Sequence, residues 1–431
     1  MPDFGKALKR MPLPLGEAGT AALKAAVPGE GFNLADQLKF LRSRFPRRPT
    51  LVATGDLLPP RETQSTRLGA HYVIHASYPG DYFHGKIRLS RLSMPDLDNL
   101  MKVMNKGGCD PQSETARDRI VFLDTETTGV QGGTGICPFL VGLGYFEGDD
   151  FHMHQFFIRD FDEEPSMLLA AADLLARFDL VITYNGAAFD IPLMETRFTL
   201  ARLDSPFQRM SHFDLLCTAR RLWRSGHGSC RLTALEHEIL SFLRGPDVPG
   251  AMIPRAYFDY LQRRPSAVLR SVFTHNVYDV VSLAALTIEA CDRVIREPAQ
   301  FDDPLDLYSL GRVMENSENW RRSIQLYEMA LAGGLTDPVR QKALENLAVL
   351  YRRMGDQERS VEICQELMGS LEFSMTGYEG AAIYHERVAH NFEAALRILE
   401  EGLARTDTKR WKMLLKARWD RLQQKVMQYG D

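Results

Sequence analysis

The sequence has no CxxC pair. Its six cysteines, at positions 109, 137, 217, 230, 291 and 364, are scattered. That argues against a thiolate zinc site and a disulfide framework, and predicts mostly buried free thiols. An H-x2-C at His227 and Cys230 stands alone and reads as a loop. No run approaches the roughly 18 apolar residues of a membrane span. The opening MPDFGKALKRMPLPLGEAG is not apolar enough for a secretory leader, so the expected compartment is cytoplasmic, with no membrane contact. A charge excess is missing too. Lys plus Arg number 52 against 56 Asp plus Glu, a net charge of −4, so bulk electrostatics does not advertise a polyanion partner. Basic residues do gather locally, in RSRFPRRP (42–49), ARRLWR (219–224) and KRWKMLLKARWDRLQQK (409–425), each of which also reads as a solvated face.

With 431 residues, the chain is too long for one comfortable core. Residues 1–48 read as an extension carrying the helical segment NLADQLKFLRSRF. Residues 49–117 read as a small β-rich segment, with LVATG, HYVIHASY and KIRLSRL as strands, closed by a linker at GGCDPQS. His71, His75 and His84 fall there and read as structural histidines. From 118 to 300 the pattern is mixed α/β. RIVFLDTETTG is an apolar strand ending in polar residues, and FLVGLGYF and FHMHQFFI flank a hairpin signal at EGDD. A helix (EEPSMLLAAADLLARF), the strand LVITYN and a helix from about 190 follow, with further helices through RLTALEHEILSFL, PRAYFDYLQ and SAVLRSVFTHNVYDVVSLAALTIEACDRVI.

After REPAQFDDP (296–304) the sequence is helical and repetitive. LYSLGRVM…SIQLYEMAL aligns with LENLAVLY…SVEICQELM, Gly311 against Ala348 and Ser323 against Ser360, 37 residues apart. A third copy, AAIYHERVAHNFEAALRILEEGL, puts Ala395 35 residues beyond Ser360. Small residues recur where paired helices must touch, a pattern that resembles tetratricopeptide repeats with their period of about 34. Such arrays bind protein segments in a groove or pack against a neighbouring domain.

Three segments carry candidate chemistry. In FLDTETTG, Asp124 and Glu126 are two apart at a strand end and share one face, while Thr125 points away. Two carboxylates that close are unfavourable unless protonated or bridged by a cation, and oxygen ligands suit Mg²⁺ or Mn²⁺. In YNGAAFDIPLM, Asn185 and Asp190 follow a strand, and Asp190 opens a helix, where an aspartate is often an N-cap. In THNVYDVVSL, His275 and Asp279 lie one helical turn apart, 155 residues beyond Asp124.

In that order and on those elements, the three segments resemble the DEDD exonucleases of the ribonuclease H-like superfamily. The run from FLDTETTGVQGGTG through ARRLW, DVPGAMIP and HNVYDVVSL resembles more narrowly the YprB-type (MrfB-type) family, which carries tetratricopeptide repeats behind the nuclease domain. The resemblance covers roughly residues 50–420. It implies a ribonuclease H-like mixed sheet and a metal-dependent 3′→5′ exonuclease acting on DNA, with a helicase-like companion in DNA repair. It places Asp124, Glu126, Asp190 and Asp279 at four acidic positions holding two Mg²⁺ or Mn²⁺ ions. Asp124 would bridge both, Glu126 and Asp279 would complete the first, and Asp190 would serve the second. Two such ions about 3.5–4 Å apart stabilise the attacking and leaving oxygens of an in-line displacement.

The sequence departs from the family at the base. The histidine branch has its imidazole five residues before the last aspartate, where this chain has Thr274. The tyrosine branch has its phenol four before, and His275 fills that slot. Tyr278 is rotated about 100° away on the helix. A histidine can accept a proton near neutral pH where a tyrosine can only orient water, so His275 is the expected general base. Thr127, Thr128 and Gly129 form a turn where backbone could approach a terminal nucleotide. Asn185 could contact the substrate, Phe189 could wedge against a base, and Arg221 and Arg224, sharing a helix face, could meet phosphate. His212 and Asp214 share a strand face as a further polar pair; Glu236 and Glu238 receive no role. An RNA exonuclease or a structure-selective endonuclease would use the same acids. A non-catalytic adaptor with vestigial acids is the alternative from another class.

Overall fold

The computed structural model describes residues 58–104, 116–129, 135–245, 247–264 and 268–429. The helix expected within 33–45, the strand LVATG, the basic stretch 42–49, Cys109 and the linker at 107–113 lie outside them. Among the described residues no helix is long and apolar enough to cross a membrane.

A seven-stranded mixed sheet organises the chain. Its strands are β1 (Glu62–Thr66), β2 (Gly69–Tyr78), β5 (Ile120–Thr127), β6 (Pro138–Glu147), β7 (Asp150–Phe157), β8 (Leu180–Thr183) and β9 (Ser211–Asp214), in the spatial order β1-β2-β7-β6-β5-β8-β9. The expected hairpin at EGDD is β6–β7, turning at Gly148 in the left-handed region (φ 60°). β8 pairs with β5 in parallel and β9 with β8 in parallel. The β-rich N-terminal segment is part of this sheet: β2 pairs with β7 and β1 closes the edge. Within it KIRLSRL is not a strand. Only Ile87–Arg88 pair, as β4 with β3 (Phe83–His84), and the chain then enters a 3-10 turn.

Alternation along β5 feeds two cores. Ile120 and Phe122 join one, with β8, β9, α1 (Met94–Met104) and α4 (Leu215–Leu222). Val121 and Leu123 join the other, with α2 (Glu164–Leu175), α3 (Asp190–Ala201) and α7 (Ile253–Leu261). Strands covered on both faces read as continuous apolar runs, as β6 does, buried from Pro138 to Phe146. A buried ion pair between Arg197 and Glu164 ties α3 to α2; losing one partner of such a pair costs about 3–5 kcal/mol. The long helix α8 (Val268–Ile295) serves both cores. Leu269, Val272 and Phe273 belong to the second and Val280 to Val294 to the first, so residues 275–279 sit at the seam.

The three helix pairs expected at the C-terminal end are α9 (Pro304–Asn316) with α10 (Trp320–Ala332), α11 (Val339–Met354) with α12 (Gln357–Gly369), and α13 (Met375–Arg387) with α14 (Phe392–Arg405). The aligned residues do equivalent jobs. Ser323 Oγ donates to the Gly311 carbonyl at 2.8 Å, and Ser360 Oγ to the Ala348 carbonyl at 2.8 Å. A Cβ at Gly311 would lie 2.9 Å from the Tyr327 ring, so only glycine lets this pair close. Ala395 takes the serine's place in the third pair and is fully buried. The basic run 409–425 is α15 (Lys409–Tyr429), which spends Lys425 and Arg418 on the nearly buried Glu386, at 2.7 and 3.3 Å. The first two pairs share a continuous core with the sheet, through Leu307, Tyr308, Leu326 and Tyr351. Of the expected thiols, Cys137, Cys291 and Cys364 are buried and free, whereas Cys217 is exposed.

Candidate active site

β5 delivers Asp124 and Glu126 to the face on which the second half of α8 lies, and Thr125 to the face on which α3 begins. Thr125 Oγ1 donates to Asp190 Oδ1 at 2.5 Å, so the strand addresses both sets of acids at once. Asp190 is the first residue of α3 and not its cap, which is Phe189. Asp124, Glu126, Asp190 and His275 line one cavity of about 610 Å³, with Phe189 and Ile253 on its apolar wall. Ligand atoms of Glu126, His275 and Asp279 lie within 4.8 Å of one another. Asp124 and Asp190 stand outside that trio: Asp124 Oδ2 accepts from Asn276 Nδ2 at 2.8 Å.

Several residues that fix this geometry carry no expected role. Asn276 is fully buried and held in turn by Gln155, whose Nε2 donates to Asn276 Oδ1 and to the Phe273 carbonyl, both at 2.9 Å. Gly142 on β6 makes room for this bridge, since a Cβ there would lie 2.3 Å from Asn276 Oδ1. Gly142→Ala is therefore expected to dislodge Asn276 from Asp124. Overpacking should cost about 1–3 kcal/mol in urea unfolding, and lost support of the acid roughly 10–100-fold in affinity for a divalent cation. A variant with wild-type cation affinity would show that the bridge is dispensable.

His275 is held from behind. Its Nδ1 lies 2.8 and 2.9 Å from the two oxygens of Asp247 and 3.2 Å from an Arg244 guanidinium nitrogen. Nε2 faces Asp279 Oδ2 at 3.3 Å. Arg244 binds Asp247 at 2.9 Å, Glu236 at 2.6 Å, and Asp279. Burial opposes ionisation of Asp247, but bonds from His275 and Arg244 outweigh it and hold the carboxyl below its ordinary range. Glu236, on α6 (Leu232–Glu238), is buried and also accepts from Ser282, whose hydroxyl lies 2.7 Å from His84 Nε2. Asp247 and Asn276 lie within stretches singled out in the sequence, DVPGAMIP and THNVYDVVSL, and Glu236 receives no role there; Gln155 and Arg244 look like ordinary strand and loop polar residues.

Arg244 compensates charge at Asp279, but Asp124, Glu126 and Asp190 have no cation paired with them among the described residues. Burial, then the charges of Asp279 and Asp190, push Asp124 well above the usual carboxylate range. Burial and then Asp124 do the same to Glu126, whose Oε1 is buried with no hydrogen-bond partner among the described residues. Burial lifts Asp190 to about 6. An orphaned carboxylate oxygen and mutually repelling acids, with an imidazole beside them, make an oxygen-rich donor set that fits a hard divalent cation.

The remaining expected residues divide. Thr127 and Gly129 line the cavity, and Thr127 Oγ1 donates to the Gly129 carbonyl at 2.6 Å. Thr128 instead pairs with Cys137, backbone to backbone at 3.0 Å and through its hydroxyl at 3.0 Å. Asn185 lines the cavity in the left-handed region (φ 66°), its backbone N–H held by Asp214 at 2.8 Å. Phe189 is 52% exposed. His212 bonds Thr183 at 2.8 Å, away from the acids. Tyr278 packs on Phe242. Arg221 and Arg224 are separated by the break at Trp223, between α4 and α5 (Arg224–His227). Arg221 turns to the Met104 carbonyl, while Arg224 lines a neighbouring cavity. His227, at the end of α5, pairs with Glu238 at 3.0 Å.

The strand order β7-β6-β5-β8-β9, antiparallel on one side of β5 and parallel on the other, with acids at the end of β5, defines a ribonuclease H-like domain. Residues 121–291 match the family model of the RNase_H superfamily, and residues 343–375 match that of the tetratricopeptide repeat. The chain is 28% identical over 342 residues to the uncharacterized protein YprB of Bacillus subtilis (strain 168), covering 77% of this chain and 80% of that protein. This is a YprB-like protein with an RNase H fold and tetratricopeptide repeats behind it.

Proposed function

We propose that the protein is a metal-dependent 3′→5′ DNA exonuclease of the DEDD type, working in DNA repair. The observation that carries this reading is the convergence of Asp124, Glu126, Asp190 and His275, from three distant segments, on one cavity with an unpartnered buried carboxylate oxygen, and of Asp279 beside Glu126 and His275. Asp124, Glu126, Asp190 and Asp279 would hold two Mg²⁺ or Mn²⁺ ions, which supply charge neutralisation at the attacking and leaving oxygens. His275 takes a proton from the attacking water at Nε2 while Nδ1–H stays on Asp247, which stabilises the imidazolium. The water oxygen bonds to phosphorus as the bond to the 3′ oxygen breaks. A 5′-mononucleotide leaves and the shortened strand keeps a 3′-hydroxyl. Phe189 and Ile253 offer an apolar wall to the terminal base. The repeats would hold a helicase-like companion.

The test is direct. DNA and RNA strands labelled at the 5′ end, single and duplex, are incubated with Mg²⁺, Mn²⁺ or EDTA. A metal-dependent ladder shortening from the 3′ end on DNA is expected. Discrete internal cuts would replace the reading with an endonuclease, and a ladder on RNA alone would replace the substrate. No cleavage of any of them would sink it in favour of a non-catalytic adaptor.

A further inference from the structure

Behind the wall formed by Tyr184 and Asn185 lies a second cavity of about 570 Å³. Those two residues line both cavities, so the second adjoins the acids directly. Its outer rim is Arg220, Arg224 and Arg231. All three are exposed, and none has an ion-pair partner among the described residues. Several other arginines of this domain are consumed: Arg117, Arg119, Arg159, Arg177, Arg197 and Arg244 each meet a carboxylate. Three uncommitted guanidinium groups around one concavity, in a chain of net charge −4, form a local positive field that the bulk composition conceals.

The cavity is built rather than incidental. Asp214 caps α4 through Leu216 N–H at 3.0 Å, and its carboxylate also accepts from Asn185 N–H at 2.8 Å and Ala187 N–H at 3.1 Å. One carboxylate thus fixes the helix that carries Arg220 to the turn that divides the cavities. Tyr184 Oη donates to the Cys230 carbonyl at 2.6 Å, fixing the loop next to Arg231 to the end of β8. Arg220 and Arg224 are four residues apart in sequence and rim the same cavity.

We infer that this second cavity is a phosphodiester subsite: Arg220, Arg224 and Arg231 grip the backbone of the substrate strand a few nucleotides from the bond held at the acids. The inference rests on the nuclease reading for the strand's direction, but binding at the arginines needs no chemistry. Guanidinium forks suit phosphate oxygens and carry no base information, so the subsite supplies affinity without sequence preference. An acidic peptide is the rival occupant. It is disfavoured because the rim adjoins the cavity where a phosphodiester would be cut.

The experiment uses the full chain in EDTA, where cleavage cannot interfere, and a fluorescein-labelled single-stranded DNA 12-mer titrated at several salt concentrations. In R220A/R224A/R231A the affinity should fall by roughly tenfold or more. The slope of log K against log salt should become shallower by about 0.7 for each arginine in contact, about 2 for three. An unchanged melting temperature confirms folding, and R220K/R224K/R231K should recover much of the salt slope. If wild type binds in this arginine-dependent way but cuts nothing with Mg²⁺ or Mn²⁺, the subsite stands and the nuclease reading falls. If the triple alanine variant keeps wild-type affinity and slope, or wild type binds no DNA, the subsite is refuted. Loss of a glutamate-rich peptide's binding in the variant, with DNA binding unchanged, refutes it in favour of the peptide.

Discussion

Asp124→Asn should lower metal-dependent cleavage by about a thousandfold or more while raising the stability of the protein measured in EDTA. The rate follows from losing the acid proposed to touch both ions, a contribution of several kcal/mol to the barrier. The stability follows from the position of Asp124. Burial and the charges of Asp279 and Asp190 hold its carboxyl well above the usual range. A carboxyl raised in the folded state makes that state bind more protons than the unfolded chain, so stability falls as pH rises above about 4. Asparagine removes that penalty and still accepts from Asn276, which bonds Asp124 at 2.8 Å. In EDTA the variant should therefore melt at wild-type temperature below about pH 4 and progressively above it toward neutrality. Adding Mg²⁺ or Mn²⁺ at neutral pH should raise wild type and leave the variant nearly unmoved. Equal metal-induced shifts in the two proteins would remove Asp124 from the cation site.

His275→Ala should cost about 10²–10⁴-fold in rate at saturating metal, the range of a lost general base. The rival role is that of a ligand, since its ring lies within 4.8 Å of Glu126 and Asp279 ligand atoms. The two separate by metal titration. A missing base leaves the rate low at any Mn²⁺ concentration, while a missing ligand is compensated as Mn²⁺ rises. The expected result is the first. His275→Tyr should keep some activity, because a phenol in that place can still orient water. Full recovery of His275→Ala at high Mn²⁺ would assign His275 to the metal.

What the sequence disclosed was local. D-x-E on a strand end places two carboxylates on one face by alternation alone, and a spacing of four places His275 above Asp279 on a helix. The serine–glycine pairing of the repeats was legible because the same packing problem recurs 37 residues on. What stayed hidden is tertiary. Asp247 orients His275 across 28 residues, and Gln155 supports Asn276 across 121. No periodicity encodes either contact. Arg221 looked interchangeable with Arg224 until the helix broke at Trp223. β1, a run of ETQST with no apolar alternation, is a strand because it closes an edge already formed by β2.

The continuous core joining the sheet to the first two helix pairs has a mechanical meaning. Arg293 of α8 is paired with Asp306 of α9, and the Arg322 side chain donates to the Arg296 carbonyl at 2.9 Å. Cutting the chain at 304 would uncover the apolar flank that Leu307 and Tyr308 cover, so such a truncation tests folding rather than recruitment. The array is less a tether than a bracket. Its first two helix pairs hold a fixed direction against the sheet, and so against the mouth of the candidate cavity.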